Sequence, residues 1–140
     1  MMTYDEVMSI QDDRARAAAI VKIFLEASMA PDPETAALYV ADDVVIHFTG
    51  ATRMSHPREM TAYNRNRYAW VKKKQERWDV CPGESETVVY GIGTLFGEWK
   101  NGKAFEGNRY VDRFAIQDNK IMRIDVWNDS AERILKGESA

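Results

Sequence analysis

The chain has 140 residues, 45% hydrophobic and 29% charged, which is typical of one globular domain spanning residues 1–140. A net charge of −3 provides no basic field for nucleic acid, and no stretch reaches the roughly 20 apolar residues of a membrane span. One cysteine and two histidines are too few for a disulfide framework or a metal cage of thiolates and imidazoles. We therefore expect a cytoplasmic protein with no cofactor, no metal, no nucleic-acid partner and no membrane partner.

Helical patterns dominate the first half of the chain. Apolar residues recur every three or four positions through residues 10–28, which predicts an amphipathic helix. A short second helix over 33–40 follows, with Asp32 as its N-cap and Pro33 in its first turn. The β-branched and aromatic run 44–49 predicts a strand. A third helix is predicted from about residue 57 to the lysine run 72–74, which reads as its solvated end.

Strand patterns dominate the second half. Four strands are predicted over 75–81, 86–100, 104–118 and 120–128, divided by turn residues that include Asn101-Gly102 and Asp118-Asn119. A final helical turn is expected to run through Leu135. Helices followed by an antiparallel meander predict an α+β fold in which the helices cover one face of a curved sheet.

Alternation along the strands predicts which side chains face the helices. The inward set of the last two long strands is Asn108, Tyr110, Asp112, Phe114, Ile116, Met122, Ile124, Val126 and Asn128. The outward set is Arg109, Arg113, Ile121, Arg123, Asp125 and Trp127. In the strand over 86–100, Tyr90 lies on one face, while Gly91, Gly93 and Gly97 lie on the other and permit bending or a close backbone approach.

Several short motifs resemble a known superfamily. They are Ala41-Asp42-Asp43-Val44-Val45, Asn108-Arg109-Tyr110-Val111-Asp112-Arg113-Phe114 before a hairpin, and a closing Trp127-Asn128-Asp129. With the order of elements, they resemble the nuclear-transport-factor-2-like superfamily, in its SnoaL-like and ketosteroid-isomerase-like branch. The resemblance implies a cystatin-like, cone-shaped α+β barrel, with an antiparallel or mixed sheet wrapped around the N-terminal helices and one deep apolar pocket. It also implies a homodimer that packs through the outer face of the sheet.

The resemblance leaves the activity open, because members include isomerases, polyketide cyclases, dehydratases, epoxide hydrolases and proteins without known activity. The positions of two proton-transferring residues of ketosteroid isomerases fall here on Phe24 and Phe48, which cannot transfer a proton. A third position falls on Tyr110, which is able to donate a hydrogen bond. The epoxide-hydrolase pattern is also incomplete, since its Arg-x-Asp segment reads Tyr90-Gly91-Ile92.

Asp112 and Tyr110 are the candidate catalytic residues. A carboxyl group held among aromatic side chains has a raised pKa, which suits a general acid or base, and Tyr110 would steady negative charge. The structural alternatives are an Asp112 paired with a cation or a helix terminus and a Tyr110 that is simply part of the core. Candidate ligand-binding residues are Tyr63, Asn128, His47, Phe24, Phe48 and Tyr90; alternation points His47 outward, so a surface or interface role competes with ligand binding.

Three functions remain open at this point. The first is an enzyme that moves a proton on a small hydrophobic, carbonyl-bearing molecule by isomerisation, cyclisation or dehydration. The second is a noncatalytic module that binds an apolar metabolite, and the third is an interaction domain whose cavity is filled by side chains. An open pocket where Asp112 and Tyr110 converge favours the first, and an Asp112 salt-bridged away favours the second. The outward Arg109, Arg113, Arg123, Asp125 and Trp127 are expected to form the dimer surface.

Overall fold

Four of the five helices precede the four-strand run that ends the sheet in the computed structural model, which describes all residues from Met1 to Ala140. The helices are α1 (Tyr4–Met8), α2 (Asp13–Met29), α3 (Pro33–Ala37), α4 (Pro57–Arg67) and α5 (Ser130–Leu135). The strands are β1 (Val40–Phe48), β2 (Thr52–Met54), β3 (Tyr68–Pro82), β4 (Thr87–Trp99), β5 (Ala104–Gln117) and β6 (Lys120–Asn128). None of the helices combines the length and the apolar character needed to cross a membrane.

The six strands form one mixed sheet in the order β2-β1-β6-β5-β4-β3. β1 and β6 run parallel, and every other neighbouring pair is antiparallel. β2 and β3 are the two edges, so the curved sheet is not closed on itself. This architecture confirms the predicted α+β class and the meander of the last three strands.

The structure corrects the predicted boundary between the third helix and the following strand. α4 ends at Arg67, and β3 begins at Tyr68 and pairs with β4 along nearly its whole length. From residue 71 to 76 half-buried and exposed side chains alternate, with Val71, Lys73 and Gln75 on the half-buried side. This period of two belongs to a strand. The lysine run is therefore part of an edge strand, and the prediction of a helix end was wrong.

Two short elements escaped prediction, and one helix is shorter than expected. The one-turn helix α1 and the three-residue strand β2 are too brief to show a period in the sequence. The second helix stops at Ala37, and β1 already starts at Val40. Asp32 accepts the backbone N–H of Thr35, as predicted for the N-cap of α3.

The glycines of β4 allow β3 to approach its inner side closely. A Cβ atom on Gly93 would lie 2.1 Å from the carbonyl oxygen of Lys74, and one on Gly97 would lie 2.2 Å from that of Trp70. Both distances are far below van der Waals contact. Register shifts in β3 occur next to these glycines, between Tyr68 and Trp70 and between Gln75 and Arg77. The predicted close backbone approach is confirmed at this bend.

Two hydrophobic clusters fill the inner face of the sheet. The larger one joins α2 to β1, β5 and β6; in it Phe24 meets Phe114 edge-to-face with ring centroids 6.0 Å apart. The smaller one contains Tyr68, Leu95, Trp99, Phe105 and Tyr110. Between the two clusters the side chains leave a cavity whose lining comes from both.

Candidate functional site

The inner cavity opens to solvent and is narrow, with a volume of about 50 Å³. Eleven of its seventeen lining residues are hydrophobic. The polar ones are Ser28, Thr61, Asn64, Lys73, Asp112 and Asn128. An apolar cavity with a few converging polar groups is the usual form of a small-molecule site.

Asp112 lies on the inner face of β5, as alternation predicted. Its direct neighbours across the sheet are Gly91 on β4 and Val126 on β6. Only 1% of Asp112 is exposed. The other predicted inward residues of β5, Asn108, Tyr110 and Phe114, are buried as well, whereas Arg109 and Arg113 lie on the outer face.

Lys73 of β3 forms an ion pair with Asp112. Its Nζ donates a hydrogen bond to Asp112 Oδ2 and lies 3.8 Å from the centre of the Tyr110 ring. The Lys73 side chain is 17% exposed. The second carboxylate oxygen, Asp112 Oδ1, is buried and accepts no hydrogen bond. Asp112 and Lys73 both line the cavity; the remaining N–H groups of Lys73 are free to meet a ligand, and Asp112 Oδ1 is buried without a partner.

The environment of Asp112 makes its carboxyl group more basic than that of an exposed aspartate. Burial raises the pKa of Asp112, because a low-dielectric site disfavours the charged form. The charge and hydrogen bond of Lys73 lower the pKa, but burial has the larger effect. The outcome is a carboxyl group with a raised pKa and a built-in counter-ion, which suits proton transfer.

Tyr110 contributes its ring rather than its hydroxyl to the cavity. The ring is part of the lining, and the hydroxyl donates a hydrogen bond to Oε1 of Gln75 on β3. Burial raises the pKa of Tyr110, and the negative charge of Asp112 adds to that effect. Because the single phenolic proton is already used, Tyr110 is not the donor that the sequence interpretation assumed, and the nearest free N–H groups belong to Lys73.

Phe48 and Asn128 line the cavity, and Tyr63 supports it from behind. Oδ1 of Asn128 accepts the backbone N–H of Ser130, which fixes the side chain at the end of β6. Tyr63 packs edge-to-face on Phe48 at 5.0 Å and shares a hydrogen bond with Thr49. Tyr63 therefore orients a lining residue without being part of the lining.

Three of the predicted ligand-binding residues lie outside the inner cavity. Phe24 is fully buried in the larger hydrophobic cluster. His47 is on the outer face of β1, 3.6 Å from Asp125, in agreement with its alternation. Tyr90 is also on the outer face, where its strand neighbours are Asp79 and Arg113. His47 and Tyr90 cannot line the cavity from these strand positions, because the adjacent residues Ile46 and Gly91 face inward and side chains alternate along a strand.

Ile121, predicted to face outward, lies in the inner hydrophobic cluster instead. Ile121 is fully buried in the larger cluster, where it pairs with Val40 and Ile116. A register shift between Ala115 and Ile116 interrupts the alternation at this end of the sheet. Beyond the shift, Ile124, Val126 and Asn128 face the cavity as predicted.

Lys73 is the functional residue that sequence reasoning missed. Its signal was present in the alternation of Val71, Lys73 and Gln75 with exposed charged residues. The helical interpretation of this segment placed all three lysines in solvent. Its partner Asp112 lies 39 residues further along the chain, so only the pairing of β3, β4 and β5 brings the two together.

No protein-family model matches the sequence, and neither does any curated protein. Solved structures do match. An NTF2-like protein of unknown function from Burkholderia pseudomallei has a TM-score of 0.71 at 15% identity, covering 85% of this chain and 95% of that chain. The chain has the nuclear-transport-factor-2-like fold. The predicted resemblance is thereby confirmed at the level of the fold.

Two further NTF2-like matches are described as putative polyketide cyclases. The one from Xanthomonas campestris pv. campestris has a TM-score of 0.64 at 14% identity, covering 89% of this chain and 98% of that chain. The SnoaL-like one from Jannaschia sp. has a TM-score of 0.69 at 11% identity, covering 94% and 98%. Identities this low carry over the fold alone.

Proposed function

We propose that this protein is a cofactor-independent enzyme of SnoaL-like type that moves a proton on a small, mostly apolar, carbonyl-bearing molecule. Isomerisation, cyclisation and dehydration all begin with such a step. The observation that carries the proposal is the Lys73–Asp112 ion pair in the lining of an apolar cavity, with Asp112 Oδ1 lacking a partner. The descriptions of two NTF2-like neighbours as putative polyketide cyclases support the same reaction class.

In this proposal Asp112 and Lys73 have separate roles. The carboxylate of Asp112 removes a proton from a carbon next to the carbonyl group, and it returns the proton to another atom of the same molecule. The ammonium group of Lys73 donates a hydrogen bond to the carbonyl oxygen as negative charge develops there. Lys73 thus takes the role first expected of Tyr110, whose hydroxyl is held by Gln75. The apolar lining keeps water away and strengthens both interactions.

Deuterium uptake tests this function without knowledge of the natural substrate. In D₂O, the protein is expected to catalyse exchange of the α-hydrogen atoms of an enolisable aromatic ketone such as tetralone, followed by NMR. Asp112→Asn keeps the size of the side chain and removes the base, so exchange falls by about 100-fold or more. Tyr110→Phe is the matched control and stays within about threefold of the original rate, because its hydroxyl is engaged elsewhere. Equal exchange in Asp112→Asn contradicts the proposal.

A noncatalytic binding module is the second candidate, and one observation favours it. Asp112 is ion-paired and Tyr110 is bound to Gln75, which is the arrangement expected of a cavity that only holds its ligand. In that case native mass spectrometry detects a retained small molecule in the purified protein, while no enolisable ketone exchanges hydrogen. The deuterium-exchange experiment therefore distinguishes the two candidate functions: exchange is expected for the enzyme and none for the binding module.

A further inference from the structure

The inner cavity adjoins a second cleft that opens to solvent. This outer cleft lies between the end of α2, α4 and the start of β3, and its space amounts to about 990 Å³ including open solvent. Six residues line both spaces: Ser28, Met29, Thr61, Asn64, Tyr68 and Val71. The two spaces adjoin along these residues, so a ligand longer than the inner cavity would extend past them into the outer cleft.

The outer cleft is cationic although the protein carries a net negative charge. Its charged lining residues are Arg65 and Lys72, and it has no acidic lining residue. Both cations are exposed, and neither forms a salt bridge with a carboxylate; Nζ of Lys72 lies 5.8 Å from the centre of the Trp70 ring, which also lines the cleft. Elsewhere arginines such as Arg109, Arg123 and Arg133 are paired with acids. Two unpaired cations at one entrance attract and orient an anionic group.

A polar group without a partner marks the junction between the two spaces. Oγ of Ser28, in the last turn of α2, is buried and makes no hydrogen bond. Ser28 lines both the inner cavity and the outer cleft. A buried hydroxyl without a partner costs free energy. Ser28 therefore favours a ligand that places a hydrogen-bonding oxygen atom where the inner cavity meets the outer cleft.

We propose that the substrate is an amphipathic organic acid whose apolar, carbonyl-bearing part occupies the inner cavity and whose carboxylate lies between Arg65 and Lys72 in the outer cleft. The inference rests on the proposed function for the inner end of the molecule. The new element is the carboxylate at the other end of the substrate, which the proposed reaction at Asp112 and Lys73 does not require. The cations act on binding and on orientation, while Asp112 and Lys73 act on the reacting atoms.

A matched pair of ligands tests this inference by calorimetry. The probes are 4-(2-naphthyl)-4-oxobutanoate, which carries a ketone and a carboxylate, and its neutral primary amide. The carboxylate is expected to bind about 5–10-fold more tightly than the amide at low salt, the size expected for two exposed ion pairs. The preference shrinks at about 0.5 M salt, where screening is strong.

Variants locate the preference in the outer cleft. Arg65→Gln with Lys72→Gln is expected to bring the two affinities within about twofold, whereas Arg14→Gln with Lys100→Gln removes the same charge from exposed positions outside the cleft and leaves the preference intact. Three results would overturn the inference. They are equal affinities of the two probes for the unaltered protein, no binding of the carboxylate, and a preference that survives Arg65→Gln with Lys72→Gln. Deuterium exchange that depends on Asp112 still supports the proposed function in each of those cases. If the unaltered protein catalyses no deuterium exchange but still prefers the carboxylate to the amide, only the proposed function is overturned.

Discussion

At the scale of single residues, the Lys73–Asp112 pair defines the site. A buried ion pair contributes little net stability, because the desolvation of both charges offsets their attraction. Keeping such a pair in an apolar cavity is understandable if the charges serve the ligand. Mutations of this pair can also distinguish its effect on the stability of the fold from its effect on activity.

Lys73→Met is expected to destabilise the fold by about 3 kcal/mol, because it leaves Asp112 buried without a counter-ion. Replacing both residues, Lys73→Met with Asp112→Leu, is expected to restore stability to within about 1 kcal/mol of the original protein. Urea denaturation followed by tryptophan fluorescence measures both changes. The double variant remains inactive in deuterium exchange. A double variant that is less stable than Lys73→Met would contradict this account of the pair.

The inward position of Asp112 was predictable from the sequence, because Tyr110, Asp112 and Phe114 alternate with two arginines in a long unbroken strand. The partner of Asp112 was not predictable in this way. Lys73 belongs to a different strand, and a carboxylate at this position is equally compatible with an arginine or a helix terminus as its partner. Local periodicity fixes the face of a side chain, whereas tertiary pairing fixes what it meets.

At the scale of elements, the bend between β3 and β4 positions Lys73 above Asp112. The bend depends on Gly93, whose missing Cβ leaves room for the carbonyl oxygen of Lys74, and on the register shift that follows Gln75. Lys73 and Gln75 lie on either side of this close approach and hold Asp112 and Tyr110, respectively. The backbone of the edge strand is therefore part of the site.

Gly93→Ala is expected to destabilise the protein by about 3 kcal/mol, since the new methyl group would meet a backbone oxygen that has no room to move. Gly91→Ala is the matched control, because its methyl group would meet the Trp78 ring at 3.0 Å, a side chain that is able to shift. Its cost is about 1 kcal/mol. Thermal or urea unfolding compares the two. An equal or smaller effect of Gly93→Ala would show that the close approach is not required.

Elements with strong local signals were predicted well. Asn101-Gly102 and Asp118-Asn119 form the turns of the meander, and Gly102, Asp118 and Asn119 adopt the positive φ values that such turns need. The boundary between α4 and β3 was missed because Met60, Tyr63, Arg67 and Trp70 follow a helical spacing across it. Pairing with β4 overrides that local pattern from Tyr68 onward.

At the scale of the whole molecule, the outer face of the sheet combines charge with exposed apolar surface. Asp125 is contacted there by Arg123, Arg113 and His47. Beside this cluster, Trp127 is 54% exposed and lies in one row with Val111 and Ile92. A surface with both signs of charge around an aromatic side chain is suited to contact with a copy of itself, so the homodimer expected from the sequence stays a prediction for this face.

Light scattering after size-exclusion chromatography tests the dimer. The protein is expected to show twice the chain mass of 16.0 kDa, and Trp127→Glu is expected to reduce this to the single-chain mass. Leu38→Glu alters another exposed apolar residue, 50% exposed next to α3, and leaves the mass unchanged. A single-chain mass for the unaltered protein would contradict the prediction.

The architecture as a whole was foreseen, since helices followed by a meander admit few arrangements and the family resemblance named one of them. The family resemblance also implied an apolar pocket, whereas the residues that line the inner cavity together and the cationic outer cleft were not foreseen. A cavity is the space that packing leaves between elements distant in sequence, and here it separates the cluster around Phe114 from the cluster around Trp99. The periodicity of a single segment of sequence therefore cannot predict the cavity.

Titration of the Asp112 carboxyl carbon by NMR, in protein labelled with ¹³C aspartate and assigned with Asp112→Asn, tests the central claim most directly. We expect the pKa of Asp112 to lie above the ordinary range for aspartate, because burial disfavours the charged form. We also expect a further rise in Lys73→Gln, since the ammonium group that favours the carboxylate is then gone. A pKa within the ordinary range that does not change in Lys73→Gln would place this carboxyl group in water and contradict the proposed site.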